Sequence, residues 1–408
     1  MVALTLKTST SPQPNFLDLP WSTPLEDWPD ELAVRLAKGR HRHVVRFISH
    51  GDTYYACKEL PPRLTEREYS MLDWLAEEGL PVVDLVGIAM DRTDEAGQPL
   101  ESVLITKHLR YSLPYLHLFA SPGNDGLHEK LIDALAILLT RIHLVGFFWG
   151  DCSLGNALFR RDAGALVAYL VDTETGERHD TLTDGQRQLD IDIACENIAG
   201  GLYELEALGK LRGVDPIHVV EQLQVRYDEL WSELTQVDQL DSSELWRIGQ
   251  RLERLNDLGF DTVELQLTND DSGNRITFRP KVVEEGHHRR ELQRLTGIEA
   301  EENQARRLLS AVHGYGAFLE QAENRALPDA IRVYRWLTER YEPTLQAVPQ
   351  ELRGRLTDAE LYHQILDHLW YMSEREGQDI GLEQAAADFV ATILPQLPDE
   401  VVVLDELD

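Results

Sequence analysis

The sequence predicts an α+β chain in which a strand-rich first part gives way to helices, with one late β-hairpin set among them. Three observations carry this expectation. Short runs rich in β-branched and aromatic residues, separated by turn signals, fill residues 44–106. From Leu127 onward, apolar residues recur at helical spacing. Two runs of alternating polarity then reappear around Asn269–Asn274. With 408 residues, 43% hydrophobic residues and eight Trp, the chain is long enough for two to three domains with filled cores.

The elements follow in order. Residues 1–34 hold Pro12, Pro14, Pro20, Pro24 and Pro29 and are expected to be irregular, packing through Trp21 and Trp28. Val44–Ile48 and Tyr54–Leu60 read as strands around the turn Ser49–Asp52. A helix is expected from Thr65 to Glu78, with Met71, Leu72, Leu75 and Ala76 at helical spacing and Gly79 and Pro81 as its stop. Val82–Met90 and Ser102–Thr106 read as strands around the turn Asp94–Gly97.

Leu127–Val145 is apolar at Leu131, Leu135, Leu138, Leu139 and Ile142, so this helix is expected to be buried on most faces. Further helices are predicted at Arg187–Leu208, at Pro216–Leu234 with Asp215 as cap, and at Ser242–Leu258 with Gly259 as stop. Thr262–Leu267 and Arg275–Arg279 form the late hairpin. Helices resume from Arg289 to Pro395, and the acidic end frays. The expected division is 1–34, 35–107, 108–240, 241–397 and 398–408, with the main boundary between 235 and 262.

The formal charge of −32 argues against nucleic acid as a partner and against docking on an anionic membrane. No apolar run reaches the roughly 18–20 residues of a transmembrane span, and Met1–Lys7 holds no signal-peptide core. Cys57, Cys152 and Cys195 are odd in number and lack paired spacing, which fits a reducing compartment. A cytoplasmic location is expected.

The chemistry-bearing stretch is Ile142–Asn156. It sets Asp151 and Asn156 five residues apart in a loop after the apolar helix. A short apolar strand is expected next, ending in Val171-Asp172-Thr173-Glu174. One acidic base with an Asn and a second Asp able to hold metal is the equipment of phosphoryl transfer, which implies ATP and Mg²⁺. Asp151 would take or orient the proton of an attacking hydroxyl, and Asn156 and Asp172 would offer oxygen ligands to a hard cation. Taken singly, Asp151 and Asn156 are also good turn residues. The three-part pattern is what argues for chemistry.

Lys58 ends a strand and Glu68 follows ten residues later on a helix. A Lys anchored by a helix Glu holds phosphate as a fixed charge. The plainer reading is a solvent-facing Lys and an acidic face shared with Glu66. Glu174 is read as a strand-end acid in preference to a water-mediated metal contact. His143 is read as a core histidine bracing the loop. Asp192 is expected either to bond the loop backbone or to start a helix near its positive end. Cys57 and Cys152 are taken as small buried hydrophobes ahead of redox groups. Arg275, Arg279, Lys281, His287, His288, Arg289 and Arg290 form a basic cluster. Charge balance with Glu284, Glu285 and Glu291 is the favoured reading, and an anion site the other.

The run from Glu68 to Gly79-Leu80-Pro81 resembles the Glu-to-Gly-x-Pro helix of aminoglycoside phosphotransferase-type kinases. With Lys58, Asp151, Asn156 and Asp172, residues 35–235 resemble the protein-kinase-like superfamily, and most closely bacterial lipopolysaccharide kinases of the Kdo kinase type. The whole chain is similar to a bacterial family that joins such a kinase-like half to a C-terminal domain of unknown function. The resemblance implies a two-lobed protein-kinase-like fold, with a small β-rich N-lobe and a helical C-lobe. A mostly helical C-terminal domain containing a β-hairpin follows. It also implies ATP between the lobes, with adenine at a hinge formed by Lys107, His108 and Leu109. Three departures stand out. Lys38–His43 has one Gly where a Gly-rich loop is usual. Trp149 stands where His is common. Thr-Glu-Thr follows Asp172, and no Ala-Pro-Glu appears.

The implied activity is ATP- and Mg²⁺-dependent phosphotransfer to a hydroxyl of a small molecule, sugar or lipid-linked glycan. The C-terminal domain would be free to bind a protein partner. The alternative is a pseudokinase acting as a nucleotide-binding regulatory scaffold. Retention of the five polar residues favours the enzyme, and the absent Gly-rich loop favours the scaffold.

Overall fold

A computed structural model describes residues 4–8, 16–34, 43–50, 53–113, 119, 127–211, 213–235, 238–241, 250, 264–269, 275–281 and 286–397. The predicted turn at Gly51–Asp52, most of the Ser242–Leu258 helix, the basic stretch 38–42 and the acidic end from Pro398 lie outside these residues. Described residues within Met1–Arg160 and Ala168–Tyr227 form one compact unit, and those within Arg161–Val167 and Asp228–Val403 form another. The fold is mixed α+β, with strands concentrated in the first part and helices in the last.

The first unit opens on a six-stranded sheet. Its strands are β1 (Thr5–Thr8), β2 (Ala33–Val34), β3 (Val45–His50), β4 (Thr53–Leu60), β5 (Leu85–Met90) and β6 (Ser102–Lys107). Their order is β1-β5-β6-β4-β3-β2, and every pairing is antiparallel. The opening residues are therefore not wholly irregular, as their prolines suggest. β1 pairs along β5 with Thr5 opposite Met90. Gly87 permits this approach, because a Cβ there would lie 2.3 Å from the Lys7 carbonyl oxygen.

Phe16, Trp21, Leu25 and Trp28 fill a core with Ile48, Tyr55, Cys57, Val86 and Ile105. Arg92, 2% exposed, fastens this segment. Its guanidinium donates to the carbonyls of Trp21, Thr23 and Glu101 and to the Glu59 carboxylate. Helix α1 (Pro62–Glu77) starts three residues earlier than periodicity indicates. Pro62 suits its first position, where a missing N–H leaves no bond unmade.

Helix α2 (Leu127–Leu144) buries Leu131, Leu135, Leu138, Leu139 and Ile142 as its apolar run predicts. Beyond it come β7 (Ser112–Leu113), which precedes α2 in sequence, and then β8 (Phe147–Phe148), β9 (Ala157–Asp162), β10 (Ala165–Leu170) and β11 (Glu177–Arg178). They form a three-stranded sheet ordered β10-β9-β7 and a β11-β8 pair. The single strand expected before Asp172 is thus a hairpin. Ala163 and Gly164, at φ 49° and 87°, make the tight turn that folds it back. Helix α3 (Asp184–Ala207) begins at a capping box in which Thr183 and Gln186 bond reciprocally. Helix α4 spans Pro216–Thr235.

In the second unit the expected hairpin, Glu264–Asn269 and Arg275–Lys281, gains a third strand, Asp238–Asp241, on its outer side. Helices at His287–Thr296, Glu302–Glu323, Asp329–Trp336, Asp358–Glu376 and Leu382–Thr392 surround a core that includes Leu308, Trp336, Tyr362, Ile365 and Phe389. Among the described residues, no helix is long and apolar enough to cross a membrane.

One buried polar group in this unit sets a pH dependence. Asp162 accepts from the Asn303 and Gln304 backbone N–H groups and from the Asn303 amide. Burial first, and the charge of Glu301 second, push its carboxyl up to about 7 against the pull of those bonds. The unfolded chain ionises the group near pH ~4, and the folded chain does so only around 7. Stability fully present below pH ~4 therefore falls as pH rises toward 7 and then levels off. Urea titrations between pH 5 and 7 are expected to show this decline, with Asp162→Asn flattening it by up to ~1.4 kcal/mol per pH unit. An unchanged slope in Asp162→Asn would sink the assignment.

Candidate active site

Strand alternation along β4 buries Cys57 and turns Lys58 to the opposite face. Helix α1 brings Glu68, 1% exposed, against it. Glu66, two residues back and so about 200° around the helix, is exposed. The Lys58 Nζ lies 3.2 and 3.1 Å from the two Glu68 oxygens, 2.8 Å from Asp172 Oδ2 and 3.7 Å from Glu174 Oε2. Glu174 also meets His43 Nε2 at 3.2 Å, and its N–H donates to Asp172 Oδ1. It is thus part of this network and not a bystander at a strand end.

One ammonium here serves three carboxylates. Burial alone would push Lys58 down, but Glu68 and Asp172 hold its pKa above the usual value. Burial raises the Glu68 carboxyl to about 7, with the Asp172 charge adding to the rise and Lys58 opposing it. The cluster is short of positive charge and rich in hard oxygen donors, which fits a dication such as Mg²⁺. No group of three or more His, Cys, Asp or Glu side chains suited to a metal occurs among the described residues.

The loop carrying Asp151 is gripped from several sides. Gly146, at φ 83°, admits no side chain, since a Cβ would fall 2.1 Å from the His179 carbonyl oxygen. The N–H groups of Trp149 and Gly150 each donate to Asp190 at 2.7 Å. Asp190 also meets His143 Nε2 at 3.0 Å, and His143 Nδ1 meets the Tyr227 hydroxyl at 2.7 Å. His143 is therefore a buried brace, 2% exposed.

The loop-binding acid is Asp190 and not the expected Asp192, which is exposed and accepts from Gln188. Two residues along a helix turn a side chain to the far face. The signal that separates them is the buried stripe Asp190, Ile191, Ala194 and Ile198. Trp149, fully buried, donates its indole N–H to the Asp172 carbonyl at 2.8 Å. The residue that breaks the family pattern thus ties the Asp151 loop to the Asp172 strand.

Asn156 Nδ2 donates to the Asp151 carbonyl at 2.9 Å and to Asp151 Oδ2 at 3.3 Å. Its amide oxygen is left as a hard donor. The Asn156 carbonyl accepts from the Val171 N–H at 3.1 Å, which sets Asn156 beside the backbone leading into Asp172. Asn197, a residue the sequence does not single out, donates to Asp151 Oδ1 and to the Cys152 carbonyl, both at 3.2 Å. Cys57 and Cys152 are fully buried, and burial pushes the Cys57 thiol up to about 12 and Cys152 well above its ordinary value. Neither is a ready thiolate.

The segment after Asp172 is short and closed by bonds. The Gly176 carbonyl accepts from Arg67, Thr175 Oγ1 donates to the Trp149 carbonyl, and the His179 N–H donates to the Gly146 carbonyl. At the expected hinge, the N–H groups of Lys107 and His108 donate to the carbonyls of Asp84 and Tyr54, both at 2.8 Å. Both N–H groups are thus engaged within the protein. The His108 ring packs edge-on to Phe47, and burial, helped by the Arg160 charge, lowers its pKa to about 4, so it stays neutral.

In the late basic cluster, the side chains of Arg275, Arg279 and Lys281 lie outside the described residues. His288 is satisfied by Glu302, and His287 lies 3.7 Å from Glu291. Of the expected partners, Glu291 is thus met by His287, and Glu284 and Glu285 lie outside the described residues.

Residues 36–193 match the lipopolysaccharide kinase (Kdo/WaaP) family, and residues 229–394 match a domain of unknown function, DUF4032. No functionally curated protein matches the chain. Among solved structures, WaaP in complex with acyl carrier protein is 17% identical, with 56% of this chain and 90% of that chain covered at a TM-score of 0.35. An aminoglycoside-3'-phosphotransferase of type VIII is 15% identical, with 49% and 86% covered at a TM-score of 0.34.

Proposed function

We propose that this chain, a lipopolysaccharide-kinase-type domain joined to a C-terminal domain of unknown function, is an ATP- and Mg²⁺-dependent phosphotransferase. Its acceptor is a hydroxyl of a small molecule, sugar or lipid-linked glycan. The observation that supports this most is the Lys58 ammonium bonded at once to Glu68 and Asp172, with Asp172 tied through Trp149 and Val171 to the loop of Asp151 and Asn156. Four separate segments of sequence converge there on groups that phosphoryl transfer uses.

In this reading Glu68 fixes Lys58, and Lys58 gives up its contact with Asp172 to hold a phosphate oxygen. Asp172 and the Asn156 amide oxygen would hold Mg²⁺, which supplies charge neutralisation on the phosphates. Asp151 Oδ2 or Oδ1 receives the proton of the acceptor hydroxyl as its oxygen bonds the γ-phosphorus and the bond to the bridging oxygen of ADP breaks. The short bonded segment after Asp172 supports a site that needs no phosphorylation-driven ordering.

The test is transfer of labelled γ-phosphate from ATP to a pool of bacterial metabolites and glycans, with and without Mg²⁺. Wild-type protein that binds ATP yet transfers no more than Asp151→Asn sinks the enzyme reading and favours a nucleotide-binding scaffold. Asp172→Asn is expected to raise the Mg²⁺ concentration needed for half-maximal ATP binding by about 10-fold or more. An unchanged Mg²⁺ dependence would remove Asp172 from the metal site.

A further inference from the structure

Helix α3 touches the loop of Asp151 twice. Asp190 accepts the N–H groups that enter the loop, at Trp149 and Gly150. Asn197, seven residues on, donates to the Cys152 carbonyl and to the Asp151 carboxylate. Seven residues are close to two helical turns, so both side chains leave the same face. Between them lies Ala194, 0% exposed, on the same buried stripe. An acceptor therefore meets the loop's donors, and a donor meets its acceptors. The two oxygens of Asp151 are each held by an amide, Oδ2 by Asn156 and Oδ1 by Asn197.

We infer that Asn197 is a positioning residue for Asp151, fixing the rotation of its carboxylate toward the acceptor hydroxyl. This rests on the phosphotransferase reading of the site. Without Asn197 the carboxylate loses its amide bond at Oδ1 and is held less firmly about its χ2 bond, which is broad and roughly two-fold. With both amides in place, each oxygen accepts a bond from a different element, which fixes the plane of the carboxylate. The anchor comes from a helix that holds the loop backbone at the same time, so carboxylate and loop are set by one rigid element. Asn156 has a second task, presenting its amide oxygen to the metal. Asn197 has no such task, which lets the two roles be separated by experiment.

Two replacements remove the donor differently. Asn197→Leu removes it without adding charge, and Asn197→Asp keeps the shape but turns the donor into an acceptor. Both are expected to lower kcat about 10- to 100-fold with KM for ATP changed less than about 3-fold, because misplacement of a reacting group costs rate and not nucleotide contact. Asn197→Gln, which keeps an amide donor, is expected to recover part of the loss. Amide hydrogen exchange in the Cys152–Asn156 peptide is expected to quicken in Asn197→Leu, with exchange in α1 unchanged. Equal kcat in wild type, Asn197→Leu and Asn197→Asp would overturn the inference while leaving the phosphotransferase reading intact. A kcat loss matched by a general rise in exchange would overturn it as well, since the role would be only structural. Absence of transfer by the wild type would overturn both together.

Discussion

Asp151→Asn is expected to lower phosphate transfer by about 1,000-fold or more while ATP still binds. The amide has the size of the carboxylate but cannot take a proton from the acceptor hydroxyl. It also faces two donors, Asn156 Nδ2 and Asn197 Nδ2. These donors sit on different oxygens, so whichever oxygen becomes the NH₂ group turns a donor against a donor and pushes it away. The variant thus loses the proton acceptor and part of its positioning together. Lys58, the proposed ATP contact, lies on β4, 93 residues away in sequence, so binding should change little. Single-turnover transfer and equilibrium ATP binding measure the two effects separately. A variant that transfers within about 10-fold of wild type would mean that Asp151 is not the proton acceptor.

How far the sequence reveals this site depends on how local each signal is. Lys58 and Glu68 are legible because a strand end and the next helix bring them together at a fixed short spacing. Asp151 and Asn156 are legible for the same reason within one loop. For Asp192 the sequence leaves a loop contact and a helix-start role open; Asp190, about half a helical turn away, makes the loop contact, and the buried stripe through Ala194 and Ile198 tells the two apart. Asn197 carries no sequence signal, since its contacts lie 45 and 46 residues away and an Asn in a helix has many uses. Trp149 stood out as a departure from the family pattern. Its task, an indole bond to the Asp172 carbonyl, depends on a partner 23 residues away.

The fold shows the same division. The main helices and strands follow from periodicity, with starts that shift to Pro62 at the first helical position and to the cap at Thr183. The strand Thr5–Thr8 was hidden by the prolines that follow it, and its place was set by a distant partner, the edge of β5. The hairpin before Asp172 was hidden because Ala163-Gly164 is a two-residue turn inside a run that otherwise reads as continuous strand.

Lys58→Met is expected to show that the same ammonium serves activity and stability. Removing it leaves Glu68, Asp172 and Glu174 facing one another with His43 as the remaining basic contact. Transfer should fall by about 100- to 1,000-fold, the effect of losing one electrostatic contact to a developing charge. Breaking a buried pair also destabilises by roughly 3–5 kcal/mol, because the partner charge is left without compensation. The Glu68 carboxyl is already raised to about 7, above its unfolded value, so the stability it contributes is present at low pH and lost as pH rises toward 7. Without Lys58 the rise extends further, and the loss of stability with pH should steepen between pH 5 and 8.

Lys58→Met with Glu68→Gln removes both charges of the pair. It is expected to recover most of the stability and none of the transfer. Thermal or urea unfolding at pH 5 and pH 8 and single-turnover transfer separate the two roles. If the double variant is no more stable than Lys58→Met at pH 8, the lost stability does not come from Glu68. If Lys58→Met transfers within a few-fold of wild type, Lys58 does not hold phosphate, and the charge cluster serves the fold alone.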